Sequence, residues 1–333
     1  MTSILPRMKE KHIAIIGAGL AGLSCGTALA KAGAKVSVFE KSRGPAGRMS
    51  TRKGENWQCD HGARYFTARD PAFEAQLGEW LERGVAEPWT TSIGVYENQE
   101  WRASGSKDIR YVGTPWMTSP AQSLAQSLAV ETNHTVNQVA QHEDQWTIHT
   151  AEHGLLECRP DWLVLATPAP QAMQLTQGIS PEIIALNQQA KTQGCWTMML
   201  RFAHAISMPF EAAFINDGIL SWVARNNAKP QRTGSEVWVI HGQTQWSQDH
   251  MDEDPLLIAP QMIEAFIALG GEAPIDYSIH RWRYASSDVQ FQPKFHCDFN
   301  QQIGFCGDWL YGGRVEGAWL SGQHLANAII SAK

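Results

Sequence analysis

Near the amino terminus, Gly17-Ala18-Gly19-Leu20-Ala21-Gly22 forms a G-x-G-x-x-G. In such a run the first glycine permits a tight turn, the second lets backbone approach a pyrophosphate, and the third lets a helix pack closely on a strand. A bare hexapeptide of this kind also occurs in ordinary glycine-rich turns, so its position decides. Here it follows an apolar run and opens a helical one, and Glu40 follows at the spacing where a carboxylate accepts hydrogen bonds from a nucleotide ribose. An acid there disfavours a ribose bearing a 2′-phosphate. The chemistry implied is dinucleotide binding, with phosphates on the helix N-terminus, where unpaired N–H groups and the dipole favour anions.

Other residue types with chemical reach cluster further on. Lys41, Arg43 and Arg48 lie in a loop with Gly47 and Met49, where guanidinium groups can approach phosphates. An aromatic set, Tyr65, Phe66, Trp196, Trp222, Trp282 and Tyr284, can wall a pocket for a flat ligand, with His241 as a hydrogen-bonding edge. Any single tryptophan among them also suits a core. No Ser-His-Asp order, H-E-x-x-H or carboxylate pair stands out as catalytic machinery, and no histidine pair has metal-ligand spacing, so no metal is expected.

The elements that must position these residues follow from periodicity. Apolar runs predict buried strands at His12–Ile16, Lys35–Glu40, 162–166 and 303–306. Helical spacing predicts helices at Leu20–Lys31, closed by Gly33, and at Pro71–Glu82, 120–128, 181–189, 255–269 and 315–330. Residues 135–159 read as antiparallel strands, and further strands are expected at 196–202, 237–241 and 277–284. The fold class expected is α/β: a Rossmann-type domain interleaved with a second, α+β domain built on a mixed or antiparallel sheet. The first unit would take residues 1–72, 113–175 and 297–333, and the second 73–112 and 176–296.

Composition sets bounds on this reading. The 333 residues suffice for about two domains. Lys+Arg 27 against Asp+Glu 33 gives a net charge of −6 without a basic run, which argues against a nucleic-acid partner or a polybasic membrane contact. Six scattered cysteines without a C-x-x-C pair suit a reducing compartment. Lys9, Lys11 and the apolar run to Leu23 imitate a signal peptide, but the glycine spacing explains the same residues better. No run is long enough to span a bilayer, and a cytoplasmic protein without a membrane partner is expected.

Three segments, Arg48-Met49-Ser50, Leu165-Ala166-Thr167-Pro168, and Gly307-Asp308 with Gly312-Gly313-Arg314-Val315-Glu316-Gly317-Ala318, resemble FAD enzymes of the amine oxidase and protoporphyrinogen oxidase superfamily. Within it, Asp60-His61-Gly62-Ala63-Arg64-Tyr65-Phe66-Thr67, His280-Arg281-Trp282-Arg283-Tyr284-Ala285 and Arg314 to Gly322 resemble the bacterial renalase family, over nearly the whole chain. The resemblance implies noncovalent FAD and oxidation of 2- or 6-dihydro-NAD(P) isomers, with electrons passed to O2 to give hydrogen peroxide. It implies that Asp308 bonds the ribityl or pyrophosphate region, that the helix near Val315 faces the flavin pyrimidine edge, and that Val136 meets the adenine. It also puts His61 to Ala63, Ala166 to Pro168, Arg314, Glu316 and Ala318 around the cofactor, and Arg64 to Phe66 against flavin and substrate. The chain departs from the family at Ala46 (commonly Gly), Arg64 (commonly Gln) and Trp116 (usually small). Cys297 lacks the flanking pattern of a covalent flavin link. An amine oxidase, or a flavin-binding redox module without catalysis, are the competing readings; Lys229 and Lys294 lie in loop-like contexts, unsuited to a lysine beside flavin N5.

Overall fold

A computed structural model describes residues 8–179, 181–287 and 294–332, apart from the side chains of 181 and 187. The expected units begin at residue 1 and end at 333, and those terminal residues, like 288–293, lie outside the described ones. Among the described residues, five parallel strands and one antiparallel edge strand make a sheet in the order His296–Asp298, Ile303–Phe305, Trp162–Leu165, His12–Ile16, Lys35–Glu40, Ala129–Thr132. Its central strands are buried on both faces, which is why they read as continuous apolar runs. Helices Leu20–Lys31 and Val315–Ser331 cover one face. A three-stranded sheet over residues 136–155 covers part of the other.

A second sheet runs Asp276–Ser286, Gln193–Phe202, Glu236–Gly242, Leu220–Arg225, Ala212–Ile215, Ile93–Glu97, Glu100–Ala103. It is antiparallel except where Ala212–Ile215 runs parallel to Ile93–Glu97. Side chains alternate across it. Met198, Leu200, Val223, Trp238 and Ile240 pack with helix Pro255–Ala268 on one face, while Met199, Trp222, Val237 and Val239 join the core shared with the first sheet. Several elements differ from expectation. The helix expected at 120–128 is Ser119–Ala125, and Ala169–Leu175 and Thr244–Asp249 are further helices. Helix Pro71–Glu82 puts Phe73 against Trp319 of the closing helix (centroids 5.7 Å apart), so it packs on the nucleotide-type unit.

Candidate active site

The glycine run lies where strand His12–Ile16 meets helix Leu20–Lys31. Gly17 has φ +106°, and a Cβ there would stand 2.9 Å from the Ala166 carbonyl oxygen; at Gly22 it would strike the Gly17 carbonyl. Gly19 is different: a Cβ would meet nothing within 4 Å, and the helix it caps receives no side-chain hydrogen bond. The turn is thus packed shut on the sheet side and open, with uncapped N–H groups, at the helix end. Ala18, Leu20 and Ala21 are buried around it. Glu40 is buried, its Oε2 accepting from the Ala18 N–H and its Oε1 from the Ser42 N–H, both at 2.8 Å. Each oxygen keeps further acceptor capacity. The N–H groups of Asn133 and His134 donate to the Ser42 and Glu40 carbonyls, which brings the chain leading to Val136 to the same edge. Lys41 and Arg43 are exposed there.

At the other end Arg48 forms a two-point ion pair with Asp308 and donates to the Ala285 carbonyl at 3.2 Å. Two residues assigned separately to the cofactor therefore hold each other, which fixes the 46–49 loop to the Gly307-Asp308 turn. Met49 is buried beneath that loop, and Gly47 follows Ala46, whose N–H donates to Ala18. Ala63 donates to the Arg48 carbonyl, and a Cβ on Gly62 would strike the same oxygen, so the 60–66 segment lies against this loop. Thr167, between Ala166 and Pro168, has its Oγ1 buried without a partner. Helix Val315–Ser331 starts without a side-chain cap, with Arg314 exposed before it and Ala318 partly buried in its first turns.

Gly322 lets this helix approach helix Leu20–Lys31, since a Cβ would collide with the Ala21 carbonyl; Ser24 Oγ–H donates to the Trp319 carbonyl at 2.8 Å. Two uncapped helix N-termini, an open glycine and an orphaned hydroxyl fit a dinucleotide cofactor. Glu316 has a structural employment besides any cofactor contact: its Oε1 accepts from the Arg69 and Asp70 N–H groups, both at 2.7 Å, so its side chain anchors the entry to helix Pro71–Glu82.

The expected pocket residues divide by sheet parity. Cross-strand pairs Trp222↔His241, His241↔Thr197, Thr197↔His280 and Cys195↔Trp282 share one face. Tyr284 alternates onto it with Trp282. Tyr65 lies 6.0 Å from Trp222 between ring centroids, and Arg64 extends over Trp222. Trp282 stacks on His61 and donates its indole N–H to the His61 carbonyl at 2.9 Å. Trp196 is a correction: it pairs in register with Arg281, faces the opposite side, and donates to the His250 carbonyl within the second core. Phe66 sets its ring among Phe73, Trp80 and Tyr111.

Ser221, which no sequence signal marks, enters through a β-bulge between Leu220 and Trp222 that re-aims its hydroxyl toward His241 and Gly242. The buried cluster of Asp60 with Lys229 (3.0 Å) and Arg232 (2.7 Å) was likewise hidden. Lys229 lies in the loop after Asn226–Ala228, as expected, and there it is a buried ion-pair partner, because two cations close on one carboxylate. Lys294 meets Tyr311, Cys297 lies in the edge strand of the first sheet, and Trp116 is covered by Lys53.

Burial holds the histidines of this face neutral. His61 falls to about 3 through burial, with His280 and Arg52 adding to it, and His280 falls to about 4 through burial and Arg52. His241 is pushed well down by burial and by Arg64. A cavity of about 200 Å³ adjoins, lined by Tyr65, Phe66, Thr67, Arg69, Asp108 and Arg314 to Glu316. Among the described residues no cluster of three His, Cys, Asp or Glu is placed to hold a metal, and no helix is long and apolar enough to cross a membrane.

Residues 15–80 match the model of the NAD(P)-binding Rossmann-like domain. An L-amino-acid oxidase of Daboia russelii is 48% identical over 54 residues, 16% of this chain, and L-amino acid oxidase Cdc18 of Crotalus durissus cumanensis is 44% identical over 52 residues. The matched stretches span only 11% and 10% of those proteins. Among solved structures, a putrescine oxidase bound to putrescine superposes with a TM-score of 0.71 at 13% identity, covering 97% of this chain and 99% of its own. Cyclohexylamine oxidase from Brevibacterium oxydans IH-35A gives 0.70 at 12% identity, covering 96% and 98%. The chain therefore shares the fold of these two amine oxidases, with a Rossmann-like nucleotide-binding domain joined to a second sheet.

Proposed function

We propose that the protein is an FAD-dependent oxidase that takes a hydride from 2- or 6-dihydro-NAD(P) isomers, regenerates NAD(P)+ and reduces O2 to hydrogen peroxide. The observation that carries this reading is the character of the sheet face: among the described residues Arg64 bonds only neutral groups, Lys229 is committed to Asp60, and His61, His241 and His280 are held neutral. A dihydropyridine is already an electron-rich donor, so it needs placement more than an acid or a base. Noncovalently bound FAD would supply the hydride acceptor and the route to O2.

The chain's own part is to hold and orient. The Gly17 to Gly22 turn takes the pyrophosphate on uncapped N–H groups, and Glu40 takes a ribose. The Arg48–Asp308 pair braces the opposite side, and Tyr65 and Trp282 flank a flat ring, with the fully buried Trp222 packed behind Tyr65. Anaerobic mixing of the FAD-loaded protein with 2- or 6-dihydro-NAD(P) should bleach the flavin absorbance; an unchanged band sinks the reading. Amine oxidation is the second reading, favoured by the two amine oxidases that share the fold. A cation in the pocket wall repels a protonated amine, so putrescine and cyclohexylamine are expected to leave the band intact.

A further inference from the structure

Arg110 lies in the middle of three extended segments. Ala86–Pro88 pairs antiparallel with Tyr111–Gly113, Pro88 opposite Tyr111, and from the other side Phe66 exchanges two 2.8 Å hydrogen bonds with Tyr111. Side chains alternate along such segments. Phe66 and Tyr111 therefore stack on each other on one face, while Tyr65, Thr67, Trp89 and Arg110 share the opposite one. There the guanidinium carbon of Arg110 lies 5.2 Å from the ring centroid of Tyr65. Its Nε is buried without a partner, and among the described residues the side chain makes no hydrogen bond or ion pair. The acids nearby are already engaged. Asp108 pairs with Arg69 at 3.0 Å, Glu87 accepts from the Gln231 amide, and Glu316 accepts from two backbone N–H groups. The ring of Tyr65 offsets part of the cost of the unbalanced charge, but it covers only the flat side of the guanidinium and leaves the N–H edges free.

These groups border open space. Tyr65 and Thr67 line the cavity of about 200 Å³, and Tyr65, Thr67 and Arg110 all keep exposed surface. A site that encloses a whole ligand takes roughly 300–1,000 Å³, so this one has room for a ring and little beyond. The rest of a dinucleotide donor must leave past its rim. We propose that Arg110 is the anion anchor of the donor: it takes the phosphate that follows the ribose of the dihydropyridine ring as that ring enters beside Tyr65. Stacked on Tyr65, the guanidinium offers a fork of N–H donors that matches two phosphate oxygens, and Thr67, directly across from it, offers a hydroxyl. The protein thereby selects donors that carry a nucleotide over donors with the same ring and carboxamide on an uncharged ribose. That the ligand is a hydride donor rests on the oxidase reading; that Arg110 takes a phosphate does not.

The probes are nicotinamide mononucleotide and nicotinamide riboside, identical except for one phosphate. Both are titrated into the FAD-loaded protein, in which the Gly17 to Gly22 turn is already filled, and binding is followed by perturbation of the flavin band and by calorimetry. The mononucleotide should bind at least about tenfold tighter, the range of one charge-assisted hydrogen bond. Arg110→Gln should abolish the preference and Arg110→Lys should keep part of it. Equal affinities in the unaltered protein overturn the anchor without any variant having to fold, as does a preference that survives Arg110→Gln. The 2-dihydro forms of the same two compounds separate the anchor from the redox chemistry. If neither bleaches the band while the oxidised mononucleotide keeps its Arg110-dependent preference, the oxidase reading fails and the anchor stands. If both bleach it with equal half-saturating concentrations, the oxidase reading stands and the anchor falls.

Discussion

Ala46 has a φ of +125°, in the region where a Cβ is crowded by its own backbone and glycine is favoured. It is held there by the hydrogen bond from its N–H to Ala18 and by the Met49 N–H donating back to its carbonyl, both 3.0 Å. Strain of this kind costs about 1–3 kcal/mol, offset in part by the greater freedom of glycine in the unfolded chain. Ala46→Gly should therefore raise stability by about 1 kcal/mol, read as a higher urea midpoint at unchanged slope; a lower midpoint would show that the loop is unstrained. Glu40 makes a complementary case. Its carboxylate ties Ala18 to Ser42 as well as facing the nucleotide edge, so Glu40→Ala should weaken FAD retention on dialysis while the fold persists; full occupancy would remove the ribose role. Both residues were visible in the sequence, Glu40 by spacing and Ala46 as a departure from a glycine. The employment of Glu316 was not, because its partners are backbone groups more than 240 positions away.

At the level of elements, periodicity located the long strands and helices but left parity undetermined. Trp196 and Trp222 look alike in sequence, each in an apolar run, and a shift of one residue moves a side chain to the other face. Register decides: Trp222 opposes His241, and Trp196 opposes Arg281. The short strands at Ile93–Glu97, Ala212–Ile215 and Leu220–Arg225 gave weak alternation, and the bulge that delivers Ser221 breaks the period altogether. Helix Ala169–Leu175 was hidden because Thr167-Pro168 reads as a stop, although proline suits the first turn of a helix. Trp196→Phe tests the parity. It should lose about 1–3 kcal/mol from a smaller ring and the missing hydrogen bond to His250. Flavin occupancy and the reductive rate should stay unchanged; a slower reductive rate would place Trp196 at the site after all.

Across the whole molecule, the seam between the two sheets carries an acid sensitivity that can be assigned in order. His61 and His280 have folded pKa values of about 3 and about 4, whereas the unfolded chain titrates near the ordinary value of about 6.5. A depressed histidine makes its full contribution to stability above the unfolded value. That contribution is lost as pH falls below about 6.5, until the folded form also takes the proton. Asp60 is depressed as well: burial alone would raise it, but Lys229 and Arg232 outweigh burial, and its loss begins only below the ordinary carboxylate range of about 3.9. Between pH 6.5 and 4.5 the histidines therefore act first, each adding a slope of about 1.4 kcal/mol per pH unit. Urea unfolding across that range should show the steep decline, and His280→Gln should flatten it by about one histidine's share. Since His61 lies against both Trp282 and His280, the variant also relieves part of its depression, so its remaining slope should still begin near pH 6.5 but level off at a higher pH. A stability that stays level down to pH 4.5 would mean that both rings are charged in the folded protein. The sheet face would then be too positive for the neutral hydrogen-bond network around Arg64 to hold.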